Sequence, residues 1–311
     1  MFLFPAFSLF SKNAEEEERT REGESAGTED SIIFLLKKAK LSIMKGELEE
    51  AERILHQAAR LSHQSDNKRA IIYTYDLMAN LAFLKGQLDS AEKLFKATMS
   101  FLLAGDMKQD DNAIIEMSLK LASIYAAQNQ HQLALAGYEF CIQTLDEKMA
   151  KYKDLSEDVL SAEERANTNL LLGLSLDSFG RYLLANKQLP RAQRMYERAL
   201  QISLEVQGEM HPQTVVLLSD LATVLDAQGR YEDAYTHGKR ALDLAKQTAH
   251  PEEHMVLNNL AGILMHQEDF LQAEQMYKEA LSQAELKGDT ASVQHIRQEL
   301  AELARRRKQS R

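Results

Sequence analysis

The residues of this 311-residue chain that come nearest to a chemical site are His250 and His254, with Glu252 and Glu253 between them. Two histidines four positions apart can share one face of a helix and bind a zinc ion. Pro251 and the expected start of a helix intervene here, however, and no cysteine or carboxylate cluster completes a ligand set. We therefore predict no metal site and no cofactor, and we interpret this stretch as a linker between helices.

The single cysteine, Cys141, is the other candidate for chemistry, because a thiolate can act as a nucleophile. The sequence suggests no base near it, and no phosphate-binding loop, G-x-G-x-x-G, H-E-x-x-H or C-x-x-C motif is present. We predict that Cys141 is a buried structural thiol and that the protein is not an enzyme. The enzymatic alternative is a hydrolase that uses Cys141, His250 or His254, and the missing nucleophile–base pair disfavours it.

Composition narrows the possible partners and the fold class. The formal net charge of −10 disfavours a nucleic-acid binder, because neutralising phosphates requires clustered lysine and arginine. The basic run from Arg305 to Lys308 is interpreted as the solvated end of a helix, where cations are favourable. No apolar run reaches about 18 residues, so we predict no transmembrane helix, and peripheral membrane association stays open. With only 13 glycines and 4 prolines, the composition favours an all-α fold.

The segment from Gly173 to Leu204 shows the element from which the chain is built. The short polar turn from Asn186 to Pro190 separates two stretches in which apolar and small residues recur at offsets of three and four. This spacing predicts two amphipathic helices, and so short a turn makes them antiparallel. A hairpin of this kind cannot bury its apolar faces alone. The residues of the two faces are Leu176, Phe179, Gly180 and Leu183, followed by Ala192, Tyr196 and Ala199.

The same hairpin recurs along the chain. A small residue marks each predicted first helix, namely Ala39, Ala79, Ala122, Gly180, Ala222 and Ala261. Twelve positions later an alanine opens each second helix, namely Ala51, Ala91, Ala134, Ala192, Ala234 and Ala273. Four positions after that come Leu55, Phe95, Tyr138, Tyr196, Gly238 and Tyr277, whose aromatic members are predicted to lie in the core. Because Gly238 replaces an aromatic residue, we expect thin packing in the fifth hairpin.

Six copies at matched offsets resemble the tetratricopeptide repeat, a helix–turn–helix unit of about 34 residues. The spacings here are longer and are similar to those of kinesin-light-chain repeats, with His-Pro expected just before a first helix at His211 and His250. The resemblance implies an all-α solenoid of about six repeats with a C-terminal capping helix. The longer interval from Ala134 to Ala192 predicts a helical insertion that lengthens the flanking helices and can divide the solenoid into halves.

These patterns predict five parts in the chain. An N-terminal segment, apolar and then acidic, is expected to be disordered and can be the remnant of a targeting region. Two groups of three repeats follow, with the insertion between them, and a capping helix with a basic tail ends the chain. The predicted ranges are 1–30 for the disordered segment, 31–145 for repeats 1 to 3, 146–172 for the insertion, 173–289 for repeats 4 to 6, and 290–311 for the capping helix and tail.

In the tetratricopeptide fold the first helices line a concave groove, so the resemblance implies a groove that binds a peptide or a protein face. Polar residues there can bond to a peptide backbone, and Phe and Met can take side chains. A site for the C-terminal carboxylates of a chaperone is disfavoured, because Arg181 is the single cation among the groove positions. These positions are Tyr73, Asp76, Asn80, Phe83, Asp177, Arg181, Ser219, Thr223, Asp226, Asn258, Met265 and His266.

Longer stretches resemble one family of mitochondrial tetratricopeptide repeat proteins. The resemblance implies a non-enzymatic scaffold at the mitochondrial inner membrane whose partner is respiratory complex III, with a role in assembly and upkeep around the Rieske iron–sulfur subunit. No lysine or arginine precedes Lys12, so a presequence is not evident and the location rests on resemblance. The alternative is a cytosolic adaptor of the kinesin-light-chain type. The stretches are KLSIMKGELEEAERIL from Lys40, YTYDLMANLAF from Tyr73, FKATMSFLLAGDMKQDDNAIIEMSLKLASIYAAQNQ from Phe95, GYEFCI from Gly137, HPQTVVLLSDLATVLDAQGR from His211 and VQHIRQELAEL from Val293.

Overall fold

The computed structural model describes residues 23–104, 108–153 and 161–309, and within these ranges the chain forms thirteen α-helices and no strand. Six helix–turn–helix pairs are followed by a thirteenth helix, which confirms the predicted all-α solenoid. None of these thirteen helices is both long and apolar enough to cross a membrane. The helices are α1 (Gly23–Met44), α2 (Leu48–Gln64), α3 (Lys68–Leu84), α4 (Leu88–Ala104), α5 (Asn112–Ala127), α6 (His131–Tyr152), α7 (Ala162–Ala185), α8 (Leu189–Val206), α9 (Pro212–Ala227), α10 (Tyr231–Thr248), α11 (Glu253–His266), α12 (Phe270–Lys287) and α13 (Thr290–Gln309).

Four predicted segments lie partly outside the described residues, among them the first group of repeats at residues 105–107 and the C-terminal tail at residues 310–311. Residues 1–22, most of the segment expected to be disordered, are not described. Because α1 begins at Gly23, the expectation of disorder is wrong for residues 23–30. Residues 154–160 of the predicted insertion also lie outside the described ranges. The helices on either side of that gap, α6 and α7, have 22 and 24 residues, whereas α5 has 16.

A residue with positive φ follows the first helix of every pair, and it always lies seven positions after the small residue that marks that helix. Such a left-handed conformation is strained for a residue with a Cβ, and glycine occupies it in three of the six turns. The six turns thus share one geometry, so equivalent positions can be compared from repeat to repeat. The residues are Gly46, Gly86, Asn129, Lys187, Gly229 and Glu268, with φ between 58° and 78°.

The chain divides into two compact units, residues 1–148 and residues 149–311. In unit 1, α1, α2 and α3 share a hydrophobic cluster to which Leu81 of α3 belongs. A second cluster joins α3, α4 and α5 and includes Phe95 and Ile124. The first helices α3 and α5 therefore each pack on both helices of the repeat before them.

In unit 2, the two helices of the fourth repeat approach each other closely at Gly180. A Cβ at Gly180 would lie only 3.1 Å from the Tyr196 ring. Tyr196 and Tyr277 are both fully buried, as predicted for core residues. The expectation of thin packing at Gly238 is wrong, because Leu260 and Ile263 from the next repeat fill that space. A Cβ at Gly238 would already meet their Cδ1 atoms at 3.2 and 3.4 Å.

Candidate protein-binding surface

In unit 1, the predicted groove residue Asp76 on α3 faces α5, the first helix of the next repeat. The Nζ of Lys120 on α5 donates to Oδ1 of Asp76 at 2.8 Å and lies 2.9 Å from Oε1 of Glu116 on its own helix. All three side chains are buried, and the ammonium group lies 5.3 Å from the centroid of the Phe95 ring. The structure therefore places Asp76 in a buried ion cluster between two repeats and not on an open surface.

In this cluster of Asp76, Glu116 and Lys120, burial and the neighbouring charges shift the pKa values of Glu116 and Lys120 in opposite directions. Burial raises the pKa of Glu116, and the attraction of Lys120 offsets only part of that increase. Burial alone would lower the pKa of Lys120, but the attraction of the two carboxylates outweighs it and leaves that pKa raised. The two carboxylates therefore keep Lys120 protonated. Removing the lysine would leave two buried acidic groups without a cation.

The other groove residues predicted for unit 1 also make contacts within the chain. Nδ2 of Asn80 donates to the backbone oxygen of Asp76 at 2.8 Å and to its Oδ2 at 3.1 Å. The Nζ of Lys40 on α1 lies 4.9 Å from the centroid of the Tyr73 ring. Phe83 packs against the second hydrophobic cluster of the unit. Tyr73, Asn80 and Phe83 each keep a partly exposed side chain, whereas Asp76 does not.

In unit 2, the predicted pair of Asp177 and Arg181 lies on α7 and reaches α9. Nε of Arg181 donates to Oδ1 of Asp177 at 2.9 Å, and Nη2 of Arg181 lies 2.8 Å from Oδ2 of Asp220 on α9. Nε2 of Gln213 on α9 donates to Oδ2 of Asp177 at 3.1 Å. Burial raises the pKa of Asp220 to about 7; Arg181 opposes this increase, while Asp177 and Glu252 add to it.

Further polar contacts join α9 to α11. Nδ2 of Asn259 on α11 donates to Oγ of the buried Ser219 on α9 at 3.0 Å. Within α9, Thr223 Oγ1 donates to the backbone oxygen of Ser219 at 3.0 Å. Nδ1 of His266 on α11 lies 2.8 Å from Oδ1 of Asp226 on α9, one repeat earlier. These contacts fix the side chains of two successive first helices against each other.

Exposure divides the predicted residues of unit 2 into two groups. Asp177, Ser219 and Met265 are buried and therefore serve the packing between helices. The amide oxygen of Asn258 has no hydrogen-bond partner among the described residues, which is uncommon for a buried polar atom. The predicted residues that keep a partly or fully exposed side chain are Arg181, Thr223, Asp226, Asn258 and His266.

The sequence interpretation missed the residues that hold the predicted positions in place. Lys120, Asp220 and Asn259 each lie two positions before the small residue that marks their helix, and each contacts the first helix of the preceding repeat. A polar residue at this one register position, inside an otherwise apolar helix, was the available signal. In α1, the same position is occupied by Lys37.

The structure gives the residues of the enzymatic alternative structural roles. Cys141 is fully buried, its thiol donates to the backbone oxygen of Ile115 at 3.5 Å, and burial raises its pKa to about 12. His250 and His254 are also buried, and burial lowers the pKa of His250. Nε2 of His254 lies 3.3 Å from Oδ2 of Asp289, just before α13. Within the described ranges, no group of three or more possible ligands is arranged to hold a metal ion.

The two His-Pro linkers share one local geometry but differ in where the helix begins. Nδ1 of His211 accepts from the backbone N–H of Gln213 at 3.1 Å, and α9 begins at the proline itself, Pro212. Nδ1 of His250 accepts from the N–H two positions on at 3.0 Å in the same way. There the proline lies in a turn, and α11 begins two residues later, at Glu253.

Comparisons with known proteins agree with this architecture. One tetratricopeptide repeat family model matches residues 162–247, and a second matches residues 255–282. The crystal structure of BtubC (BKLC) from P. vanneervenii is similar in fold, with a TM-score of 0.57 and 17% identity over 83% of this chain and 92% of that one.

Two curated relatives match almost the whole chain. Tetratricopeptide repeat protein 19, mitochondrial, from Homo sapiens is 63% identical over 98% of this chain and 82% of its own length. The protein of the same name from Rattus norvegicus is 64% identical over 98% of this chain and 83% of its own length. Both are named as mitochondrial, which supports a mitochondrial location here. With this identity and coverage, the chain belongs to the tetratricopeptide repeat protein 19 family.

Proposed function

We propose that this protein is a non-enzymatic scaffold of the mitochondrial inner membrane that supports the assembly and upkeep of respiratory complex III around its Rieske iron–sulfur subunit. The proposal joins two kinds of support. The resemblance of long sequence stretches implies the complex and the membrane. The repeat fold, with polar side chains along successive first helices, supports binding of a protein.

The surface we assign to the partner is the exposed polar row of unit 2, defined as Arg181, Thr223, Asp226, Asn258 and His266. The observation that carries this assignment is that neighbouring helices hold the row in place while leaving it partly exposed. Arg181 is held by Asp220, and His266 by Asp226. Prearranged side chains lose little conformational freedom on binding, which favours affinity.

Co-purification from solubilised mitochondrial membranes tests this function. The full chain carrying an affinity tag should enrich complex III subunits, with the Rieske subunit among them. A Thr223→Arg variant, which inserts a long side chain into the exposed polar row, should recover less complex III from the same amount of protein. A Lys239→Ala variant is the control, because Lys239 is half exposed on the second helix α10.

Two results would count against the proposal. Recovery of the chain without complex III subunits would remove the proposed partner. Recovery of the chain in the cytosolic fraction and not in mitochondria would favour the adaptor of the kinesin-light-chain type.

A further inference from the structure

The outward face of α1, defined by Ile33, Phe34, Leu41 and Met44, is apolar. These side chains are 42%, 66%, 50% and 84% exposed, and they lie on the side of the helix opposite to Ile32, which is buried. No described residue covers this face, and an apolar face left uncovered marks an interaction surface.

Equivalent positions in the other first helices show which contacts the residues of this face make when a repeat precedes them. Phe34 lies five positions before the small residue of its helix, and Leu41 lies two positions after it. Leu81, the equivalent of Leu41 in α3, packs with α1 and α2, and Ile124, its equivalent in α5, packs with α3 and α4. The two positions thus carry the contact with the preceding repeat. Their equivalents are buried in every first helix with a preceding repeat in its own unit: Thr74 and Leu81, Met117 and Ile124, Leu217 and Val224, Val256 and Ile263.

Charge indicates what kind of neighbour fits. Lys37 occupies in α1 the register position that Lys120 occupies in α5. Lys120 pairs there with Asp76, which belongs to the repeat before its own. Among the described residues Lys37 makes no ion pair of its own. Residues 31–46 contain four lysines and no acidic residue, in a chain whose net charge is −10. A neighbour complementary to this face therefore presents an apolar stripe with a carboxylate beside it.

The geometry points to α1 as the docking surface for an amphipathic helix of another protein, stacked on α1 as the first helix of a preceding repeat would be. The apolar stripe of that helix covers Phe34 and Leu41, and its acidic side chain pairs with Lys37. A second copy of the same face is disfavoured, because lysines would then oppose lysines. The inference goes beyond the proposed function, because it holds whichever protein supplies the helix.

Site-specific photocrosslinking of the full chain in intact mitochondria tests the inference. The photoreactive residue p-benzoylphenylalanine replaces Phe34, and a matched control carries it in place of Leu271, which is 71% exposed on α12. We expect an adduct from position 34, and not from the control, with a segment that has helical apolar spacing and an acidic residue. A Lys37→Glu change should lower the yield of this adduct about tenfold, and reversing the charge of the partner's acidic residue should restore it.

Each other result would overturn the inference. These results are an adduct with phospholipid, with a second copy of the chain or with residues 1–22 of the chain itself, the same adduct from the control position, no adduct, or a yield that does not respond to Lys37→Glu. The identity of the crosslinked protein is a separate readout. A helix from a protein outside complex III would leave the docking inference intact and would count against the proposed function.

Discussion

Both units join successive repeats through ion pairs, but the exposure of the paired side chains to water differs between the units. In unit 1, Lys120, Asp76 and Glu116 join two repeats with side chains only 7%, 11% and 8% exposed. In unit 2, Arg181 and Asp220 join two repeats with side chains 26% and 20% exposed. Both arrangements place one cation between two carboxylates. The buried cluster of unit 1 holds helices together, whereas the partly exposed ion pair of unit 2 can also contact a partner.

This difference shows why a polar residue on a groove-forming helix is not by itself a binding residue. A buried ion cluster is costly to disturb, because desolvated charges depend on one another. A partly exposed ion pair costs less to break, because water can replace part of the lost interaction. The comparison therefore predicts that the same kind of substitution will have unequal effects in the two units.

The largest effect is expected for Lys120→Met. This change keeps an unbranched side chain but leaves Asp76 and Glu116 buried without a cation, so the free energy of unfolding should fall by about 3–5 kcal/mol. Arg181→Met, the matched change in unit 2, should cost only about 1–2 kcal/mol, because the Arg181 and Asp220 side chains are 26% and 20% exposed and Asp220, with its pKa raised to about 7, can take up a proton when the cation is lost. Urea unfolding followed by circular dichroism measures both variants. An equal or greater cost for Arg181→Met would contradict the comparison.

The next largest effect is expected for Gly238→Phe, which introduces the aromatic residue that most other repeats carry. Because Leu260 and Ile263 already fill the site, the new ring should force α10 and α11 apart and cost about 1–3 kcal/mol. Gly262→Ala is the control, because its Cβ would meet only the Tyr277 hydroxyl at 3.7 Å. The control should be neutral or slightly stabilising. A more stable Gly238→Phe variant would show that the packing there is loose after all.

Another effect should depend on pH. The pKa of Asp220 is about 7 in the fold and near 3.8 when unfolded, so the folded state binds its proton more tightly. The stability that this proton confers is complete below about pH 4 and is lost as the pH rises to 7. The penalty of Asp220→Asn, measured by urea unfolding at several pH values, should therefore shrink between pH 4 and 7. A penalty that grows over this range would contradict the burial of Asp220.

The smallest effect is expected in the turns. Glu268 and Lys187 adopt positive φ where three equivalent turns have glycine. Glu268→Gly should raise the free energy of unfolding by up to about 1 kcal/mol by relieving the left-handed strain. The control is Gly229→Ala, which should cost a similar amount in the equivalent turn of the same unit. Thermal unfolding measures both, and a destabilised Glu268→Gly variant would refute the shared turn geometry.

The sequence was sufficient for features that depend on local spacing. Helix pairs, short turns and the buried Phe95, Tyr196 and Cys141 all follow from periodicity within one hairpin. Contacts between repeats were not predictable in this way. Asp76 was assigned to an open groove because its partner Lys120 lies 44 positions away, and Gly238 was expected to leave a gap because the side chains that fill it come from the next repeat.

We propose that the exposed polar row of unit 2, and not the first-helix face of unit 1 around Asp76, meets the partner. Thr223 and Asn80 test it as a matched pair, because each follows the small residue of its helix by one position. Binding of the full-length Thr223→Arg and Asn80→Arg variants to purified, immobilised complex III is the most direct measurement. We expect an affinity about tenfold lower or worse for Thr223→Arg, and near the wild-type value for Asn80→Arg. Equal losses, or a loss confined to Asn80→Arg, would contradict it.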